Sequence, residues 1–430
     1  MTKRIIPISS GKGGVGKTSF AINLALCLSK FGKTVLVDLD TGTSSIRNVI
    51  GAPIRRDLYH FYKKGASLDE CITTLPLILD PERAFNNFGF VASPLHMINS
   101  IANLDQNDRN KMIDAVNGLD ADFVILDLRA GLDPLVTDFL PHSNTGILVF
   151  TPNHPAATLA ASDIVKAALF RKVREVFHIG SPVYEYFARG AINPEAINEK
   201  IDMAEDVYEH DIANLDVFLD QLREETNDHP IVQMLNDMVE YFRVYYVLNR
   251  FDSVEASFET AVKPFVENIS DNISPRVNIS NLGWIMESKR YHQCNMDSVP
   301  YILQHHAKMN TSTPQKGSTP KSKKKIDKKL EALYELTGLR KEKPTKKAKK
   351  APKKGPTEDA LISQLNAIEA MYKTKKKENE YENFEYIISC IRYLFESKRL
   401  SDFGDTRLFK KGELVPLMLR KRMGNTNTLL

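Results

Sequence analysis

Ser9–Ser19 reads SSGKGGVGKTS, and the reading of these eleven residues decides the fold. Gly11, Gly16, Lys17 and Thr18 satisfy the spacing G-x-x-x-x-G-K-[ST] of a phosphate-binding loop. Before the loop, Arg4–Ser9 (RIIPIS) is a short apolar run of strand type. After it, Thr18–Phe31 places Phe20, Leu24, Cys27, Leu28 and Phe31 on one helical stripe. Strand, loop and helix in that order are what phosphate chemistry requires. Glycines let successive N–H groups turn inward where a side chain would collide with the phosphates. The helix N-terminus adds partial positive charge at the same point. Lys17 is placed to bridge β- and γ-phosphate oxygens, and the Thr18 hydroxyl to bind Mg²⁺. Gly11, Lys12, Gly13, Gly14, Val15, Gly16, Lys17, Thr18 and Ser19 are therefore the expected nucleotide-binding set.

Outward from the loop, Thr34–Asp38 (TVLVD), Phe88–Ala92 (FGFVA), Phe123–Asp127 (FVILD) and Gly146–Phe150 (GILVF) are further strand candidates. Val244–Leu248 and Leu282–Met286 follow later. The runs are nearly all apolar rather than alternating, as in parallel strands covered on both faces. Alternation with helical segments predicts an α/β fold, a doubly wound, mostly parallel sheet. Two of these strands end in carboxylates, VLVDLDTG at Asp38 and Asp40 and FVILDLRAG at Asp127. The C-terminal ends of strands form the edge where open α/β sheets bind ligands. Asp127, with Thr18 and Asp38, is assigned to the Mg²⁺ shell, and either Asp38 or Asp40 to orienting an attacking water. These residues describe a nucleotide hydrolase or switch.

KGGVGKT, with Lys12 ahead of the glycines, resembles the deviant Walker A motif of the MinD/ParA ATPases. The likeness runs through DLD at Asp38–Asp40, DLRAG at Asp127–Gly131, YVLNR at Tyr246–Arg250 and LGWI at Leu282–Ile285, and the start directly before the loop and the LVFTP stretch at Leu148–Pro152 look most like the MinD and FlhG branch. It implies ATP and Mg²⁺ as ligands and slow hydrolysis in a homodimer closed around ATP. Lys12 would reach the partner's phosphates, Asp40 would activate water, and Asn249 would contact adenine. It further implies a protein regulator and a role in division-site or flagellar placement. A ParA-like role in DNA segregation is the alternative, and an ATP-dependent biosynthetic ligase the third reading. Arg129 departs from the Pro or Gly common in the family and adds charge near the nucleotide.

The chain has 430 residues, and at roughly 150 residues per folding unit it should form two or three. The expected division is an ATPase core over 1–306 with a helical insertion at about 190–242, a Lys-rich linker over 307–357, and a C-terminal helical module over 358–430. The overall charge of +4 conceals two opposed blocks. Glu195–Glu240 holds fourteen acidic and two basic residues, a net −12. Lys316–Lys354 holds sixteen basic and four acidic residues, a net +12. The second block offers non-specific contact with DNA by phosphate neutralisation, or with a membrane surface. Arg407–Gly424 is a weak candidate for a lipid-binding helix, with packing as a tail the better reading. Leu361, Leu365, Ile368 and Tyr372, then Phe384, Ile387, Ile388, Ile391, Leu394 and Phe395, predict two amphipathic helices.

Several classes are excluded. No run reaches the ~18 apolar residues of a membrane span. Cys27, Cys71, Cys294 and Cys390 lie far apart, which argues against a disulfide scaffold, a zinc site or an iron–sulfur carrier. His305-His306 reads as the boundary of the core rather than a metal site. The expected location is cytoplasmic, with peripheral attachment at the inner face of the cell membrane as the variant that the resemblance implies.

Overall fold

Eight strands, β1 (Arg4–Ser10), β2 (Thr34–Asp38), β3 (Thr73–Thr74), β4 (Phe88–Val91), β5 (Phe123–Ala130), β6 (Asn144–Phe150), β7 (Arg243–Phe251) and β8 (Asn278–Met286), form one sheet. The computed structural model describes residues 3–41, 45–190, 193–206, 211–311, 358–373, 380–396 and 407–423. The strand order is β3-β4-β2-β5-β1-β6-β7-β8, and only the two-residue β3 pairs antiparallel. Every strand expected from sequence is present, and the sheet is the doubly wound α/β type. The strands are buried almost throughout, as their near-continuous apolar composition demands.

β1 lies between β5 and β6, so the chain leaves it in one direction for β2 and later returns to its other side. That reversal opens the crevice in which such sheets bind ligands. Pro7 sits within this central strand and lacks an N–H. Beside it β6 is irregular: Gly146 has φ 63°, and a Cβ there would lie 2.3 Å from the Pro7 carbonyl oxygen. The irregularity lets the two backbones approach without a side chain between them.

The helix after the loop, Lys17–Leu28, differs from the single apolar stripe expected. It ends before Phe31, which is 41% exposed, and from Ser19 onward all its residues are buried. The cover comes from far along the chain. Phe384, on the helix Glu380–Glu396, stacks on Phe20 at 5.9 Å and on Tyr291 at 6.3 Å. The same helix lies against β8 at Gly283, where a Cβ would meet Ile387 and Tyr386 at 3.0 Å. Both C-terminal helices expected from apolar spacing are present, Glu358–Lys373 and Glu380–Glu396, and their buried residues belong to the main core.

The acidic segment lies between β6 and β7 and contributes the helices Pro194–Glu205, Leu215–Glu225 and Pro230–Tyr241. Ile197, Ile201, Leu219 and Leu222 face the core, while Val217 is 36% exposed. The helix Tyr301–Thr311 runs past residue 306. His305 stacks on Tyr381 at 4.3 Å and His306 packs edge-on to Phe85, so this histidine pair is occupied in packing. Leu414–Met423 forms a helix whose Val415 and Leu419 join the main core. The helix read at Ile326–Leu339 and the whole Lys-rich block Lys316–Lys354 lie outside the described residues. Among the described residues no helix is long and apolar enough to cross a membrane.

Candidate nucleotide-binding site

The loop between β1 and the helix Lys17–Leu28 depends on two left-handed glycines, Gly14 at φ 79° and Gly16 at φ 86°. Gly16 is also closely approached: a Cβ there would lie 2.2 Å from Asn249 Nδ2. Gly11 faces the helix Pro155–Val176, where a Cβ would meet the Ala160 backbone at 2.1 Å. Both positions are therefore closed to any larger residue.

Register brings the charged groups together. Asp38 on β2 and Ile8 on β1 are both partners of Asp127 on β5, so the two carboxylates stand on adjacent strands at the loop's edge of the sheet. Both are fully buried. Lys17, 6% exposed, donates from Nζ to Asp127 Oδ1 at 2.6 Å. The Thr18 side chain stands beside the same carboxylate and, with Lys17, opposes its upward shift. Burial pushes the Asp38 carboxyl up to about 7, and the neighbouring Asp127 adds to the rise. Asp127 is raised by burial as well, against the pull of Lys17.

The two carboxylates differ in what remains open. Asp38 Oδ1 accepts from the Asp40 N–H at 3.1 Å, and Oδ2 from the Ser93 hydroxyl at 2.9 Å and the Ile46 N–H at 3.5 Å. Among the described residues, Asp127 Oδ2 is buried with no hydrogen-bond partner, as are Ser9 Oγ and Thr151 Oγ1 at the ends of β1 and β6. A buried carboxylate oxygen without a donor is costly, and a cation or its bound water is what would satisfy it. Two acids facing one lysine leave room for further positive charge. Among the described residues no group of three or more His, Cys, Asp or Glu converges as a metal site. That fits Mg²⁺, which is held through one or two carboxylates and completes its shell with phosphate oxygens and water. Asp127 and Thr18 would hold it; Asp38, with its oxygens already bonded, stands behind them.

The other expected residues fall around this centre. Lys12, Gly13 and Gly14 are exposed at the loop's tip, and Val15 is buried. Asp40 is half-buried just past β2. The Ser19 hydroxyl donates to Asn295 Oδ1 at 2.8 Å, within the protein. Asn249 is buried, and its Nδ2 donates to the Val15 carbonyl at 2.7 Å. An irregularity in the β7–β8 pairing at Arg250, which has φ 57°, directs Asn249 toward the loop. Arg129 turns its guanidinium to the Ala102 carbonyl at 2.9 Å and to Asp133 Oδ2 at 3.3 Å. Ser93 and Asn295 were not expected from sequence. Ser93 directly follows the apolar run Phe88–Ala92, so the signal that exposed Asp38 and Asp127 also marks it. Asn295 has no local signal.

A family model described as an AAA domain matches residues 3–175. The septum site-determining protein MinD of Helicobacter pylori is 27% identical over 198 residues, 45% of this chain and 68% of MinD. An uncharacterized ATP-binding protein of Methanocaldococcus jannaschii is 30% identical over 200 residues, 44% of this chain and 72% of that protein. The flagellum site-determining protein YlxH of the same Helicobacter strain is 31% identical over 159 residues, 36% of this chain and 50% of YlxH. With its phosphate loop after β1 and its two carboxylates side by side on β5 and β2, the chain belongs to the MinD/ParA family of P-loop ATPases.

Proposed function

We propose that this protein is a molecular switch that binds ATP with Mg²⁺, dimerises around it, hydrolyses it slowly, and serves in spatial organisation such as division-site or flagellar placement. The observation that carries the reading is the buried trio of Lys17, Asp127 and Asp38 beneath the loop, with one carboxylate oxygen of Asp127 unsatisfied. Bound Mg²⁺ would supply the missing charge and neutralise the phosphates. Lys17 would carry the β/γ-phosphate charge, and Asp40 would orient the attacking water. Lys12, exposed at the loop's tip, is free to extend to a second copy. The names of the relatives support the placement role.

The test is sizing by light scattering in ADP and in a non-hydrolysable ATP analogue. The parent should dimerise only with the analogue. Lys12→Ala should still bind nucleotide yet stay monomeric, and Asp40→Ala should accumulate as an ATP-bound dimer. Dimerisation of Lys12→Ala equal to the parent would overturn the deviant-motif assignment.

The net +12 of Lys316–Lys354 favours a second reading, DNA segregation, through contact with a polyanion. Co-sedimentation with anionic vesicles and with DNA, each with and without the analogue, separates the two. ATP-dependent capture by DNA alone would favour segregation.

A further inference from the structure

Asp38 is held by a chain of contacts that runs from the site to the surface of the fold. Its Oδ2 accepts from the Ser93 hydroxyl at 2.9 Å, and Ser93 is fully buried. The Ser93 carbonyl in turn accepts from Arg47 Nε at 3.1 Å. Arg47 also pairs through its terminal nitrogen with Asp57 Oδ2. Asp57 Oδ1 caps the helix Leu58–Lys63 by accepting from the Tyr59 N–H at 3.1 Å, and faces His60 Nδ1 at 2.9 Å. The ends of β2 and β4 and two short helices, Ser45–Val49 and Leu58–Lys63, are thus joined through four side chains.

We propose that Ser93 and Arg47 are positioning residues for the Asp38–Asp40 turn, and through it for Asp40. The claim rests on the reading of Asp40 as the water-orienting residue. Asp38 Oδ1 grips the Asp40 backbone N–H at 3.1 Å, so the place of the Asp40 side chain follows the orientation of the Asp38 carboxylate. That orientation needs Oδ2 to be held as well. Without the Ser93 hydroxyl, Oδ2 retains among the described residues the Ile46 N–H at 3.5 Å, and the carboxylate is fully buried. The carboxylate would then rotate, and the turn with it. Arg47 fixes Ser93 by a fork: one nitrogen on a carbonyl and another on a carboxylate, a geometry that lysine cannot reproduce. Misplacement of about an ångström at a water-orienting group is costly to catalysis and leaves ground-state binding alone.

Two measurements on Ser93→Ala test this, with Ser93→Thr as the conservative rescue. The first is amide hydrogen exchange of the nucleotide-free chain, which needs no activity. The Asp40 and Ile46 amides should exchange about tenfold faster in Ser93→Ala, in line with loss of a charge-assisted hydrogen bond. The helix Lys17–Leu28 should be unchanged, and Ser93→Thr should restore protection. The second is turnover against affinity. ATP turnover at saturation should fall about tenfold while nucleotide Kd stays within about twofold, and Arg47→Lys should do the same. Unchanged exchange, or exchange raised equally across the sheet, overturns the proposal. So does a parallel loss of Kd and turnover. If the parent shows no ATP turnover at all, the functional reading falls, and the exchange result still decides whether Ser93 holds the turn.

Discussion

At the phosphate-loop pole of the sheet, Asp127 Oδ2, Ser9 Oγ and Thr151 Oγ1 are buried without partners among the described residues, and two carboxylates face one lysine. Along the flank covered by Glu380–Glu396, Phe20, Phe384 and Tyr291 stack in series, and Gly283 admits the helix to within contact of β8. The first region holds unsatisfied polarity and the second holds packed apolar surface. Natural folds place such polar strain where a ligand will relieve it, and depend on well-packed cores elsewhere for stability. The two regions share one helix, Lys17–Leu28, whose first residue serves the site and whose body serves the core. The difference separates binding from stability along a single element.

Lys17→Ala should produce the largest effect, on binding. Loss of the buried ammonium removes the charge that meets the phosphates and leaves Asp127 and Asp38 without their cation. Affinity for ATP, measured by calorimetry, should fall at least about a hundredfold, the range for truncating one side of a buried charge pair. Asp127 and Asp38, left buried without their cation, should take up protons, so the loss of stability without nucleotide should be smallest at low pH. A collapse of the fold with Lys17→Ala would break the comparison from the polar side.

Phe384→Ala should do the reverse. Its ring is fully buried between Phe20 and Tyr291, so truncation should cost about 3–5 kcal/mol of unfolding free energy. Denaturant titration measures this, and nucleotide Kd at temperatures where the variant remains folded should stay within about twofold. If Phe384→Ala instead weakens ATP binding at unchanged stability, the C-terminal helix is coupled to the loop. The separation would then be replaced by allostery.

The same contrast explains what the sequence revealed. The loop was legible because phosphate binding fixes residue types at fixed local spacing, and Gly11, Gly16, Lys17 and Thr18 satisfy it within eight positions. The strands were legible because burial on both faces leaves apolar runs, and Asp38 and Asp127 stood out at their ends. The all-round burial of Lys17–Leu28 was not legible. Its cover comes from Phe384, more than 350 residues away, and no local pattern encodes such a partner. Phe31 was placed on the stripe because helical spacing continues through it, whereas the helix stops at Leu28 and Ser29 takes over its last carbonyls. Ser93 and Arg47 were missed because a serine after a strand and an arginine in a five-residue helix are common, and their meaning arises only once β4 lies beside β2.

The pH dependence of stability sharpens the polar side. The Asp38 carboxyl sits at about 7 in the fold, because of burial and then of Asp127, against about 3.9 in an unfolded chain. Between those values the folded state keeps a proton that the unfolded state has lost. Stability of the nucleotide-free protein should therefore fall as pH rises from about 4 to about 7 through this group, and level off above. Asp38→Asn should remove most of that slope and raise the melting temperature at pH 7.5 relative to the parent. Thermal melts across the range, with buffer ionisation matched, measure it. An unchanged slope would mean that Asp127 rather than Asp38 carries the proton.

Arg129→Ala should give the smallest effect, and it decides which region the residue serves. From the sequence, a guanidinium after Asp127 reads as added charge beside the nucleotide. In the structure it bonds the Ala102 carbonyl at 2.9 Å and Asp133 at 3.3 Å, and it is 26% exposed. These contacts tie the loop after β5 to the segment at Asn99–Ala102. Partly exposed polar contacts of this kind contribute about 0.5–1.5 kcal/mol. Arg129→Ala should lower the unfolding free energy by that amount, read from the denaturant midpoint, and change ATP turnover less than about twofold, since binding terms that act on ground and transition states alike leave kcat unaffected. A change in turnover of tenfold or more at unchanged midpoint would instead place Arg129 on the nucleotide side. The carbonyl of Ala102 would then be a resting position that it leaves when the site is filled.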